Sequence, residues 1–384
     1  MSELHKFLFD GLPVRGMLVR LTDTWRDILQ RRANNAETGP YPEPVRHLLG
    51  QMTAAAALMQ SNIKFNGALV LQVFGDGPLK VAVVEVQPDL SLRATAKTVG
   101  EVPANARLSQ MVNQNNEGRC AITLDPQDRQ PGQQPYQGIV PLWDDNGQPL
   151  ESLQSVLEHY MLQSEQLDTT LVLATNGEVA AGLLIQRLPV QGEGNLSARA
   201  TRADEDEIGR NEDYRRIAML ASSLQKNELL TLDVDTILRR LFWQEPVQRF
   251  EPKLGAQGPR FACRCSRDRV GQMIRGLGRE EAESILAERA DIEVGCDFCG
   301  RQYRYDAVDA AGLRYAADPA AVAAFAADAD PDGRIPVPVL TVKGVHDPVA
   351  FVELDHRFAQ TMAAAGRADG LVQTFTDDAE HSFL

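Results

Sequence analysis

Cys263-Arg264-Cys265-Ser266-Arg267 and, further on, Cys296-Asp297-Phe298-Cys299-Gly300 are the stretches that decide how this chain is organised. The gap between Cys265 and Cys296 is 30 residues, and four of the five cysteines fall in this one segment. Two closely spaced thiol pairs on separate knuckles converge on one tetrahedral centre, the arrangement structural zinc prefers. Cys263, Cys265, Cys296 and Cys299 are therefore the expected metal ligands. With all four positions filled by sulfur, no open site remains for a water-activating catalytic zinc. Gly300 lets the chain turn tightly after the second pair. Arg264, Arg267 and Arg269 are placed to offset the charge of four thiolates. A segment of this size supplies only roughly 3–5 kcal/mol from its own core. Structural zinc is worth on the order of 10–16 kcal/mol in such modules. Metal loss is therefore expected to unfold it. Thiolates are also the form that oxidants attack, and neighbouring thiols trap the product as a disulfide. The chemistry suits a permanently structural zinc site and an oxidant-opened one alike.

Outward from that segment, the chain has 384 residues, 43% hydrophobic and 24% charged, a globular composition with room for two or three domains. Its 39 basic and 53 acidic residues leave a net charge of −14, which argues against nucleic-acid binding. No apolar run is long enough to cross a membrane. The start, Met1-Ser2-Glu3-Leu4-His5-Lys6, lacks a signal-peptide pattern, so a cytoplasmic protein is expected, where a structural disulfide framework is uncommon.

Residues 1–187 read as a mixed α/β domain. Phe7–Phe9, Val14–Leu21, Gly67–Phe74, Leu79–Gln87, Arg119–Asp125, Gly138–Leu142, Leu171–Thr175 and Gly182–Leu188 have strand character. Thr22–Arg32, Pro44–Ile63 and Leu150–Ser164 have helical spacing. Gly75-Asp76-Gly77-Pro78 reads as a hairpin; it lacks the lysine and helix start of a phosphate loop. Residues 188–250 form a charged linker with helices at Ile217–Leu224 and Val234–Trp243, each an apolar stripe on a charged body whose own core is thin. Residues 251–312 hold the cysteine cluster, and 313–384 differ again in composition. The expected fold is α+β: an N-terminal mixed α/β domain, a helical linker, a small four-Cys zinc domain and a short fused tail.

The chain resembles the bacterial 33 kDa chaperonin family, the redox-regulated, ATP-independent heat-shock holdases, over roughly residues 3–312. The likeness is carried by Leu12-Pro13-Val14-Arg15-Gly16, Tyr41-Pro42-Glu43-Pro44-Val45, Gly75-Asp76-Gly77-Pro78-Leu79, Ser164-Glu165-Gln166-Leu167 and Glu228-Leu229-Leu230-Thr231-Leu232. Ser284-Ile285-Leu286-Ala287-Glu288 and the two cysteine motifs complete it. The resemblance implies that the reduced protein holds one zinc on the four cysteines and is inactive. It implies that oxidants form the disulfides Cys263–Cys265 and Cys296–Cys299, that zinc and linker structure are then lost, and that exposed apolar surface binds unfolding client proteins. It also implies a homodimer in the active form and no enzymatic turnover. The alternative from another class is a thiol–disulfide oxidoreductase using Cys296 and Cys299, which leaves Cys263 and Cys265 unexplained.

The tail is different. Val337-Pro338-Val339-Leu340-Thr341-Val342-Lys343-Gly344-Val345-His346-Asp347-Pro348 resembles the late strand and acid turn of an α/β-hydrolase, with Asp347 matching the triad acid and His381 the triad histidine. No Gly-x-Ser-x-Gly nucleophile motif occurs in the chain, so hydrolase activity is not expected. Elsewhere the expectations are plain. Cys120 is a buried bystander, and His5, His47, His159 and His356 show no ligand spacing. The face of Leu153, Val156, Leu157 and Tyr160 is core.

Overall fold

The computed structural model describes residues 1–35, 38–128, 134–188, 212–313, 338–344 and 352–376. The chain divides into two compact units, residues 1–270 with 293–304, and residues 271–292 with 305–384.

The first unit opens with β1 (Glu3–Phe9), β2 (Val14–Leu21), α1 (Asp23–Ala33) and α2 (Glu43–Asn62). It continues through β3 (Gly67–Phe74), β4 (Leu79–Val86), β5 (Ser91–Thr98), α3 (Leu108–Val112), β6 (Arg119–Pro126) and β7 (Tyr136–Pro141). Then come α4 (Leu153–Glu165), β8 (Thr169–Thr175) and β9 (Ala180–Arg187), followed by α5 (Glu212–Ser222), α6 (Lys226–Thr231) and α7 (Val234–Phe242). Three short strands end the run: β10 (Val247–Arg249), β11 (Lys253–Leu254) and β12 (Arg260–Phe261).

These strands make two six-stranded sheets. The first has the order β10-β1-β2-β9-β8, with β11 also on β1; the second is β12-β5-β4-β3-β6-β7. Helix α2 lies between them. Its Ala54–Ala57 run is fully buried, as a helix apolar on all sides must be. One core joins α2 and α4 to inward residues of both sheets, including Leu4, Met17, Val19, Leu69, Leu71, Val84, Leu171 and Leu184. Leu153, Val156, Leu157 and Tyr160 belong to it, and so does the wholly buried Cys120.

The first sheet is buried on both faces. Odd positions of β2 (Met17, Val19, Leu21) face α2. The alternate residues, among them Phe7, Phe9, Val14, Leu18, Val172, Leu183 and Ile185, form a second core with α5, α6 and α7. Phe9 and Phe242 meet edge to face at 4.9 Å between ring centres. Gly16 is required here: a Cβ would come within 2.1 Å of the Phe7 ring. The linker helices therefore have little core of their own, as expected, but cover a ready-made apolar sheet face.

Among the elements that escaped the sequence reading are β5 and α3. β5 presents Leu92, Ala94 and Ala96 inward, and small alanines have weak strand character. α3 is a single turn, at whose start the Arg107 N–H donates to Gln110 Oε1 at 2.9 Å. The Gly75–Pro78 turn is a hairpin as expected; Asp76 accepts backbone N–H groups of Gln114, Asn115 and Glu117 and so pins a second loop.

After β12 come α8 (Arg267–Leu277), α9 (Arg279–Glu288), β13 (Ile292–Gly295), β14 (Gln302–Tyr305) and α10 (Ala307–Gly312). In the second unit Ile274, Ala282, Ala310 and Met362 are buried. Its last part is β15 (Val339–Gly344), α11 (Val352–Ala364) and β16 (Leu371–Thr376). β15 and β16 pair in parallel from Val339–Leu371 to Gly344–Thr376, so the tail strand has a partner. Asp347 and His381 lie outside the described residues.

Candidate metal centre

Cys263 and Cys265 occupy the irregular stretch between β12 and α8. Cys296 and Cys299 sit in the turn between β13 and β14, which form a two-stranded ribbon. The turn is closed by its own backbone. Cys296 N–H donates to Arg301 O at 2.9 Å, and Gly300 N–H and Cys299 N–H donate to Cys296 O at 2.8 and 3.3 Å. Gly300 has φ +71°, the left-handed region that a side chain resists, which is why a glycine follows the second pair.

The four sulfurs lie within 4.8 Å of one another. Cys263 Sγ is 3.6 Å from Cys296 Sγ, and Cys265 Sγ is 3.4 Å from Cys299 Sγ. All are free thiols. A tetrahedral ion held by sulfurs at about 2.3 Å sets them about 3.8 Å apart. Both the donor set and the spacing therefore fit one soft tetrahedral ion, closed to further ligands.

The surroundings supply charge control that sequence spacing did not reveal. The Tyr303 hydroxyl donates to Cys265 Sγ at 3.1 Å. Burial pushes the Cys265 thiol up, but Tyr303 and the neighbouring cysteines outweigh it and bring it down to about 7. Cys296 and Cys299 are pushed up, chiefly by burial and then by the adjoining thiols. Within the cluster a proton thus leaves Cys265 more readily than Cys296 or Cys299, whose protons leave with difficulty until a cation takes their place. Arg301 is held charged by the Tyr303 hydroxyl and by the Cys265 and Cys299 sulfurs.

The three arginines expected to offset the thiolates are engaged otherwise. Arg264 Nη1 is 3.7 Å from the Glu85 carboxylate, Arg267 Nη1 donates to Arg304 O and Arg269 Nη1 to Arg264 O. They brace the backbone around the cluster. The CxxC turn also rests on the second sheet. Thr95 Oγ1 donates to Asp297 O at 2.9 Å, and the Arg93 guanidinium lies 4.2 Å from the centre of the Phe298 ring. Arg93 is fixed by Glu85 at 2.5 Å. The only signal for Tyr303 in the sequence is the Gln302-Tyr303-Arg304-Tyr305 alternation, which turns both tyrosines to the buried side of β14.

Comparison with known proteins gives a consistent result. A family model described as Hsp33 protein matches residues 2–306. A Chromobacterium violaceum protein described as a 33 kDa chaperonin is 42% identical over 312 residues, covering 80% of this chain and 92% of that protein. A Methylobacillus flagellatus protein of the same description is 43% identical over 313 residues, covering 81% of this chain and 94% of that protein. The crystal structure of the 33 kDa chaperonin of Thermotoga maritima superposes with a TM-score of 0.59 at 18% identity, over 81% of this chain and 97% of that one, a likeness of fold.

Proposed function

The chain belongs to the Hsp33 family, and from that premise we propose that it is a redox-regulated, ATP-independent chaperone of the cytoplasm that holds unfolding client proteins. The observation that carries the redox part is the convergence of four free cysteine sulfurs within 4.8 Å. Bound zinc would tie these thiolates into one cross-link between residues 263–265 and 296–299.

In the reduced state the apolar face of the first sheet is covered by α5, α6 and α7, so no client surface is offered. Hypochlorous acid, or peroxide with heat, withdraws two electrons from each thiol pair. The bonds Cys263–Cys265 and Cys296–Cys299 form between the thiolates, and the oxidant takes up the electrons with protons from solvent, leaving as chloride and water or as water alone. The metal-binding thiolates are then consumed and the cross-link is lost. The linker helices lead through β10–β12 directly to Cys263, so this loss removes an anchor at their C-terminal end. Their release uncovers Phe7, Phe9, Val14, Leu18, Val172, Leu183 and Ile185, a contiguous apolar face suited to unfolded chains. Such a surface also suits a homodimer in the oxidised state. The protein carries out no turnover of a substrate in this reading. The oxidoreductase alternative leaves Cys263 and Cys265 idle, although their sulfurs lie as close to Cys296 and Cys299 as the ligands of one ion would.

The test is light scattering of a heat-unfolding client with either zinc-loaded reduced protein or hypochlorous-acid-treated protein. Suppression by the oxidised sample alone is expected. Equal suppression by both would replace the switch with constitutive binding, and none in either would end the chaperone reading.

A further inference from the structure

Between α7 and Cys263 the chain runs along the edges of both sheets in turn. β10 pairs antiparallel with β1, with Phe7 opposite Arg249, Leu8 opposite Gln248 and Phe9 opposite Val247. Phe250 N–H donates to Lys6 O at 3.0 Å and Asp10 N–H to Pro246 O at 2.9 Å. β11 extends the same edge opposite Glu3 and Leu4. β12 then lies parallel on β5, where Arg260 N–H reaches Leu90 O at 3.2 Å and Ala262 N–H reaches Leu92 O at 2.9 Å. One strap thus supplies the terminal strand of each sheet.

On β1 the strap is held by its backbone pairing, by Val247 at the margin of the second core and by Arg249, whose guanidinium reaches His5 Nδ1 at 3.3 Å and the Asp235 carboxylate. Gln248 is exposed, and Phe250 and Leu254 keep 48% and 42% of their surface in water. Main-chain pairing of this kind reads little sequence, so another extended chain can take the strap's place. The neighbouring side chains decide what kind of chain. Phe7 and Phe9 project from β1 beside this edge into the core shared with Phe242 of α7. With α7 and the strap lifted, β1 offers unpaired N–H and C=O groups flanked by an apolar row.

We propose that the edge of β1, freed with the linker, binds client by strand addition: an extended, apolar segment of an unfolding protein pairs antiparallel with residues 4–10 and lays alternate side chains over Phe7 and Phe9. This rests on the reading that oxidation releases the linker, and it assigns the binding mode that follows.

Residue-resolved hydrogen exchange on the oxidised full-length chain, with and without an unfolded client, tests it. By the antiparallel alternation, the amides of Lys6, Leu8 and Asp10 face the strap and that of Phe7 faces β2. Oxidation is expected to deprotect the first three and spare Phe7, and client is expected to restore their protection at least tenfold. A client held with these amides still open overturns strand addition and leaves the chaperone reading intact. Protection that rises with protein concentration in the absence of client gives the edge to a second copy and also overturns it. An oxidised protein that binds no client overturns both. A second arm uses Leu8→Pro, which removes the edge-facing N–H while leaving the β1–β2 ladder its bonds. Oxidised L8P is expected to hold client roughly threefold to tenfold more weakly, the loss of one net main-chain hydrogen bond. Unchanged affinity would count against the proposal.

Discussion

Cys265 ionises more readily than Cys296 and Cys299, because the Tyr303 hydroxyl donates to its sulfur while burial pushes the other two the opposite way. In reduced, metal-free protein, iodoacetamide is expected to modify Cys265 before Cys296 and Cys299. Its rate should climb as pH rises through about 7, since the thiolate is populated above that value. Cys296 and Cys299 should react only at higher pH. Tyr303→Phe removes the donor, so the Cys265 midpoint should move up; mass spectrometry of the tryptic peptides reads both effects. An unmoved midpoint would show that Tyr303 does not set it. The convergence of the four cysteines was legible as spacing, because two short-range pairs need only one tight turn each. Tyr303, Arg93 and Thr95 were not, since they reach the cluster through strand register that no local pattern encodes.

At the scale of elements, the decisive feature is a strand pair apolar at successive positions. Val14–Leu21 and Ala180–Arg187 carry buried residues on both sides, the pattern of a sheet covered twice. One cover is α2. The other is α5–α7, whose charged bodies and thin stripes read as a weak segment on their own. Ile237 is 1% exposed in that second core. Ile237→Ala should cost about 2–5 kcal/mol of local packing. Trypsin is then expected to cut the reduced variant faster at Arg239 and Arg240 while the first core stays intact, and the reduced variant should suppress aggregation in part. Cleavage at the wild-type rate would mean the helices are held by something other than this face. The short strands β10–β12 were not legible, because two or three residues of backbone pairing leave no periodic trace.

At the scale of the whole molecule, both cores of the first unit are built from residues up to Phe261. No described residue of the tail belongs to either. A chain ending at Gly312 is therefore expected to keep the melting transition of the first unit and the oxidation-dependent suppression of aggregation. Calorimetry and light scattering check the two. Loss of either would give residues 313–384 a part in stability or client binding. Within the tail, the strand expected at Val337–Val342 is found at Val339–Gly344, but its parallel partner Leu371–Thr376 was not legible, since the pairing spans a helical crossover.

The sequence by itself determined the local matters: which stretches alternate with period two or three to four, where the chain turns, and which cysteines are spaced to share an ion. These depend on neighbours a few residues apart, and sterics and solvation act on them directly. Only the tertiary structure decided that the strands form two sheets around α2, that the linker helices cover a sheet face, that one strap edges both sheets and that Tyr303 touches Cys265. Each of these joins residues far apart in the chain. Such contacts are selected by the packing of the whole core against the entropy of closing long loops, and no single stretch of sequence carries that balance.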